Sequence, residues 1–98
     1  MPRESALQTR FMRNLLSEHP GAVVLKPDTS FFPGLPDRFV LIDDWWGGLE
    51  FKADEDAPTQ PNQPFYIDLL NRMSFASFVY PQNEGQVWRG IQRSLRAK

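Results

Sequence analysis

The chain has no cysteine and a single histidine, His19. The first lack excludes a disulfide framework and a thiolate zinc site, and the second argues against a histidine-rich metal centre. Long apolar runs are also missing, since nothing approaches the roughly 20 residues that span a bilayer. The opening run Met-Pro-Arg-Glu-Ser-Ala-Leu-Gln carries no apolar core of the signal-peptide kind. A cytoplasmic location without a membrane partner is therefore the expectation. Positive charge is not in excess either. Eleven Lys and Arg stand against twelve Asp and Glu, a net charge of -1. Such a protein does not hold nucleic acid by bulk charge alone.

What is present suits one folded unit. Ninety-eight residues, 41% hydrophobic and 23% charged, are enough for a single modest core, so residues 1–98 are expected to form one domain. The charges are sorted along the chain. Asp43, Asp44, Glu50, Asp54, Glu55 and Asp56 fill the middle, while arginines gather towards the ends. Arg3, Arg10 and Arg13 fall in the first helical segment and Arg89, Arg93, Arg96 and Lys98 in the last. If the terminal helices lie together, their basic stripes flank an acidic centre.

Periodicity gives the order α-β-β-β-α-β-α. Leu7, Phe11 and Leu15 recur at helical spacing over residues 3–18, and His19-Pro20-Gly21 ends the pattern. Short apolar stretches predict strands at 22–26, 38–43, 48–53 and 75–80, with a turn at 44–48 carrying Trp45 and Trp46. Thr59 is a fair cap for a helix running to about Ser74, and Val87, Trp88, Ile91 and Leu95 stripe a final helix. The expected fold is α/β, a mixed four-stranded sheet flanked by helices.

Gly-Leu-Glu-Phe-Lys, residues 48–52, is the odd strand. Glu50 and Lys52 share one face while Leu49 and Phe51 share the other. If the second and third strands pair as a hairpin, Asp37 and Glu50 arrive at the same end of it. Two carboxylates held together repel unless a cation lies between them. Oxygen ligands of this kind suit Mg²⁺, with Mn²⁺ as a substitute, and such an ion activates water towards a phosphodiester. Lys52 beside it would orient that water or stabilise charge on the phosphate.

At these residues the sequence resembles the PD-(D/E)XK nuclease superfamily. Pro36-Asp37, a gap of twelve residues, then Glu50-Phe51-Lys52 looks like its motif, and the element order matches its αβββαβ core, here with a further helix. Within the superfamily the chain looks most like the small VRR-NUC and Holliday-junction-resolvase-like branch. The likeness includes Gly34-Leu35 as the lead-in, Glu4 on the first helix and Gln63 opening the helix after the motif. It spans roughly Glu4 to Tyr80. Pro58, Pro61 and Pro64 crowd the approach to Gln63, more prolines than the family usually shows there. The resemblance implies a restriction-endonuclease-like core and a metal-dependent endodeoxyribonuclease acting on branched or structured duplex DNA in recombination, repair or phage DNA processing. It implies Asp37, Glu50 and the Phe51 backbone carbonyl as metal ligands and Lys52 as the catalytic lysine. Glu4 would support the metal directly or through water, and Gln63 would hold Lys52 or the scissile phosphate. DNA is the expected partner, a homodimer the expected assembly, and no organic cofactor is expected.

Each piece alone has a plainer reading. Asp37 after proline can be a turn residue, Glu50 and Lys52 a solvated strand face, and Glu4 a first-turn acid on the helix dipole. Arg3, Arg10 and Arg13 either touch DNA or line a solvated helix face. Trp45 and Trp46, or Phe31 and Phe32, are either core or surface, and a dimer is expected through one of the two pairs. Two other functions stay open: a site-specific homing or restriction-like nuclease, and a nuclease fold that binds nucleic acid without chemistry.

Overall fold

The computed structural model describes residues 3–98, with Arg3 described in its backbone only. Three helices, α1 (Arg3–Glu18), α2 (Gln63–Met73) and α3 (Glu84–Arg96), flank a sheet of β1 (Val23–Leu25), β2 (Arg38–Ile42), β3 (Trp45–Phe51) and β4 (Phe75–Val79). The strands lie in the order β1-β2-β3-β4. The first three run antiparallel to their neighbours, and β4 is parallel to β3. That last pairing requires a crossover, which α2 supplies. No helix among the described residues is long and apolar enough to cross a membrane.

Alternation in β3 decides which side chains meet which helix. Trp45, Leu49 and Phe51 point to the side where Leu7, Phe11 and Leu15 of α1 and Val87 and Ile91 of α3 complete one apolar cluster. Phe11 makes edge contacts with Phe51 at 5.9 Å and with Trp88 at 5.7 Å between ring centroids, so the terminal helices lie together. Glu50 and Lys52 are thereby turned to the opposite face, beneath the start of α2. There, 7% and 6% exposed, they are the buried charged residues of the described chain.

The hairpin between β2 and β3 differs from the sequence expectation. Ile42 pairs with Trp45, so the turn is the two residues Asp43 and Asp44 rather than 44–48. Asp43 takes the left-handed backbone, φ 54°, which aspartate tolerates and a tight hairpin needs. Both tryptophans therefore belong to the strand. Trp45 is 3% exposed, and its Nε1 donates to Ser94 Oγ at 2.8 Å. Trp46 packs on Phe39 with centroids 5.9 Å apart. Trp45 is thus part of the core, while Trp46 is half-buried on the other face of the strand.

Helix α2 also starts later than expected, with Asn62 rather than Thr59 at its cap position. Pro61 thus lies outside the helix, while Pro64 sits in its first turn, where a missing N–H costs nothing. The Asn62 side chain leaves its own helix uncapped and donates to the Pro33 carbonyl at 3.2 Å. This bond ties the start of α2 to the loop before β2.

Candidate active site

The site is assembled where that loop meets the end of β3. Pro36 is fully buried, and it lies against Gly48, where an added Cβ would approach its ring to 3.0 Å. Seated there, Pro36 delivers Asp37 beside Glu50. The two acids are joined through each other's strand: the Asp37 N–H donates to Glu50 Oε1 at 3.1 Å, and the Phe51 N–H donates to Asp37 Oδ2 at 3.1 Å. The N–H and C=O of one strand residue point to the same edge, so the Phe51 carbonyl faces the Asp37 side of β3. Lys52 N–H donates the other way, to Val79 of β4.

Gln63 closes the arrangement from above. Its Nε2 donates to Glu50 Oε2 at 2.8 Å, and its Oε1 accepts the Gln60 N–H at 2.9 Å. The sequence reading expected Gln63 to hold Lys52 or a phosphate; here it orients Glu50, because α2 begins at residue 63 directly over that carboxylate. Asp37, Glu50, Gln63, Thr29, Gly34 and Asn62 line a cavity of about 370 Å³. Burial pushes the Glu50 carboxyl up to about 7, and the Asp37 and Glu4 charges push in the same direction. Donation from the Asp37 N–H and from Gln63 opposes them. Two carboxylates and a strand carbonyl form an oxygen-only donor set, which fits Mg²⁺ held by one or two carboxylates and water.

The other expected residues are placed less uniformly. Glu4 is exposed; its charge reaches Glu50, yet no group of three His, Cys, Asp or Glu side chains fit to hold a metal occurs among the described residues. Lys52 does not line the cavity. Its Nζ donates to the carbonyls of Ala57 and Pro58, the latter at 3.0 Å, and lies 5.4 Å from the Phe78 ring centroid. These partners offset the cost of burying an ammonium and hold the 54–58 loop against the sheet. Arg10 is engaged by Glu84, with Nη2 to Oε1 at 2.8 Å and Nε to Oε2 at 3.2 Å. Arg13 is exposed, and the Arg3 side chain lies outside the described residues.

One contributor was missed in the sequence. Arg38 donates from Nη1 to the Asp37 carbonyl at 2.9 Å, and its Nε and Nη2 reach the Gln8 side-chain oxygen at 3.1 and 2.8 Å once that amide is turned to face it. It fixes the backbone that carries Asp37. The polar Gln8, one residue after the buried Leu7, was the available signal. Gly34, named from the sequence as part of the lead-in to Asp37, lines the cavity. Its φ of 104° and its approach to Asn62, where a Cβ would lie 2.8 Å from the backbone carbon, admit no side chain. Gly34→Ala is expected to destabilise the fold by about 2 kcal/mol and to open the cavity wall, measured as a shifted urea midpoint with unchanged slope.

Compared with known proteins, the chain matches no protein-family model, and no curated protein gives a significant match.

Proposed function

We propose that this chain is a metal-dependent endodeoxyribonuclease with a restriction-endonuclease-like core of the PD-(D/E)XK kind. The observation that carries the reading is the cross-bracing of two acids that line one cavity: Glu50 accepts from the Asp37 N–H, and Asp37 accepts from the N–H of Phe51, the residue after Glu50. The antiparallel β1-β2-β3 run followed by a helical crossover to a parallel β4 supports the fold assignment.

In this reading Asp37, Glu50 and the Phe51 carbonyl would hold Mg²⁺ or Mn²⁺, which polarises a phosphodiester and lowers the pKa of a bound water. The protein's own groups prepare that site. Gln63 points one Glu50 oxygen, Arg38 secures the Asp37 backbone, and Glu4 adds negative charge that favours a cation. Lys52, on the same face as Glu50, would supply fixed positive charge beside the site, favouring the charge that builds on the phosphate. The reading extends to a homodimer cutting branched or structured duplex DNA, since two sites related by a two-fold axis suit paired nicks. The seating of Lys52 against two loop carbonyls, off the cavity wall, favours a second reading, a nucleic-acid-binding module without chemistry. Cleavage of a labelled four-way junction, a linear duplex and a single strand in Mg²⁺, against an EDTA control, separates them. Metal-dependent cutting supports the nuclease, and uncut but retained DNA supports the module.

The raised Glu50 carboxyl has its own consequence. Its ordinary value is 4.5 and its folded value about 7, so between those pH values the native state binds the extra proton. The stabilisation is complete below about pH 4.5 and is lost as pH rises through 7. Thermal melts are expected to show about 1–2 kcal/mol less stability at pH 8 than at pH 5 from this group, allowing for solvent screening. Millimolar Mg²⁺ is expected to restore stability at pH 8 in the wild type and not in Asp37→Asn.

A further inference from the structure

Beside the carboxylate cavity the protein exposes rings that its own core does not use. Phe31 is 82% exposed, Phe32 55% and Phe65 60%. Phe32 heads a row of rings: it meets Tyr66 edge-on at 6.4 Å between centroids, and Tyr66 meets Phe65 at 5.1 Å, while Phe31 precedes it in the same loop. Gly34, two residues after Phe32, lines the cavity, so the row borders the place where a phosphate would be cut. Large rings left in water are a standing cost unless something covers them.

The loop that carries them is held in shape. Asp28 Oδ1 accepts from the Ser30 N–H at 2.9 Å and from its hydroxyl at 2.6 Å, turning the chain just before Phe31. The Leu35 N–H donates to the Phe32 carbonyl at 3.3 Å, and Asn62 grips the Pro33 carbonyl. Phe31 and Phe32 are thus presented from a segment fastened on both sides. Of the cations near the site, Arg38 is committed to Gln8 and the Asp37 carbonyl, and Lys52 to loop carbonyls. For a strand of DNA drawn to this site the rings offer a second kind of contact, because every base has a face that stacks on a ring.

We propose that Phe31 and Phe32, backed by Tyr66 and Phe65, form a stacking platform for unpaired bases next to the scissile phosphate. This directs the enzyme to DNA with a frayed or branched strand. The inference rests on the reading of Asp37 and Glu50 as the cleavage site, and it names the substrate class that site receives. A continuous duplex keeps its bases stacked on each other and offers the rings nothing. A second copy of the chain is the rival occupant, and exposed Val23, Leu25 and Leu41 on β1 and β2 offer it a separate apolar face away from the rings.

The test uses a duplex bearing one unpaired arm, with 2-aminopurine in the arm beside the branch, and the same duplex without the arm. Binding is followed with Ca²⁺ in place of Mg²⁺, and cutting is followed separately in Mg²⁺. Wild type is expected to prefer the forked DNA and to change the 2-aminopurine emission by stacking. Phe31→Ala/Phe32→Ala is expected to lower the forked-to-paired affinity ratio about 10- to 100-fold and to lose that emission change. The Phe31→Trp/Phe32→Trp pair is expected to restore both. Equal weakening on both DNAs, or an unchanged ratio, overturns the proposal. So does a loss of self-association in the alanine pair, by sedimentation, with the ratio unmoved. Cutting without forked preference leaves the nuclease reading standing and removes the platform. Stacking lost in the alanine pair, with no cutting of any substrate, keeps the platform and removes the nuclease reading.

Discussion

Replacing Glu50 by glutamine is expected to lower Mg²⁺-dependent cleavage on the order of 10³-fold while the protein stays folded. In the proposed reading the size follows from removing one charged ligand from a set of two carboxylates, in a site where fixed charge would do most of the work. The fold survives for a specific reason. Glu50 is buried with its carboxyl raised to about 7, so at neutral pH its charge is a liability that the Asp37 N–H and Gln63 offset only in part. Glutamine removes that liability and still accepts from either the Asp37 N–H or Gln63. One of those donors then faces the amide nitrogen, a loss of about 1 kcal/mol that opposes the gain. The measurement pairs initial cleavage rates with thermal melts at pH 5 and pH 8. A variant that keeps the wild-type rate would remove Glu50 from the chemistry. A wild type that loses stability from pH 5 to pH 8, beside a variant that does not, would tie the pH dependence to this one carboxyl.

The largest effect on stability is expected at Phe11. Its ring is 1% exposed and stands between Phe51 of β3 and Trp88 of α3, so it joins both terminal helices to the central strand. Phe11→Ala removes that contact and leaves a cavity, costing about 3–5 kcal/mol. Domains of this size hold only about 5–15 kcal/mol in total, so the variant is expected to melt roughly 15–25 °C lower. Leu16→Ala on the same helix is the control. Leu16 is 39% exposed, and its loss is expected to cost under about 1 kcal/mol. Equal effects at the two positions would show that α1 is not seated as described. Phe11 also packs on Phe51, the residue between Glu50 and Lys52.

The sequence by itself determined the element order, because helix and strand leave different spacings of apolar residues and each spacing here is a local property. It also determined that Asp37 and Glu50 converge. Once β2 and β3 pair as a hairpin, the residues just before one and near the end of the other must share an end of the sheet. The turn was not legible to the residue. Asp43-Asp44 and Trp46-Gly47-Gly48 are both reasonable turn sequences, and the choice fell to the pairing of Ile42 with Trp45 and the burial of the Trp45 ring against α3. The partner of Gln63 depended on where α2 begins, and that was fixed by the Asn62 contact to a loop 29 positions away. Arg38 looked like an ordinary strand opener until α1 brought Gln8 to it. Burial of Glu50 and Lys52 was likewise beyond the pattern: alternation said they share a face, but only the start of α2 over Glu50 and the 54–58 loop over Lys52 turned two surface-like charges into buried ones. Spacing along the chain carries what neighbours in sequence impose; which charges lose their water is decided by what packs on them from far away.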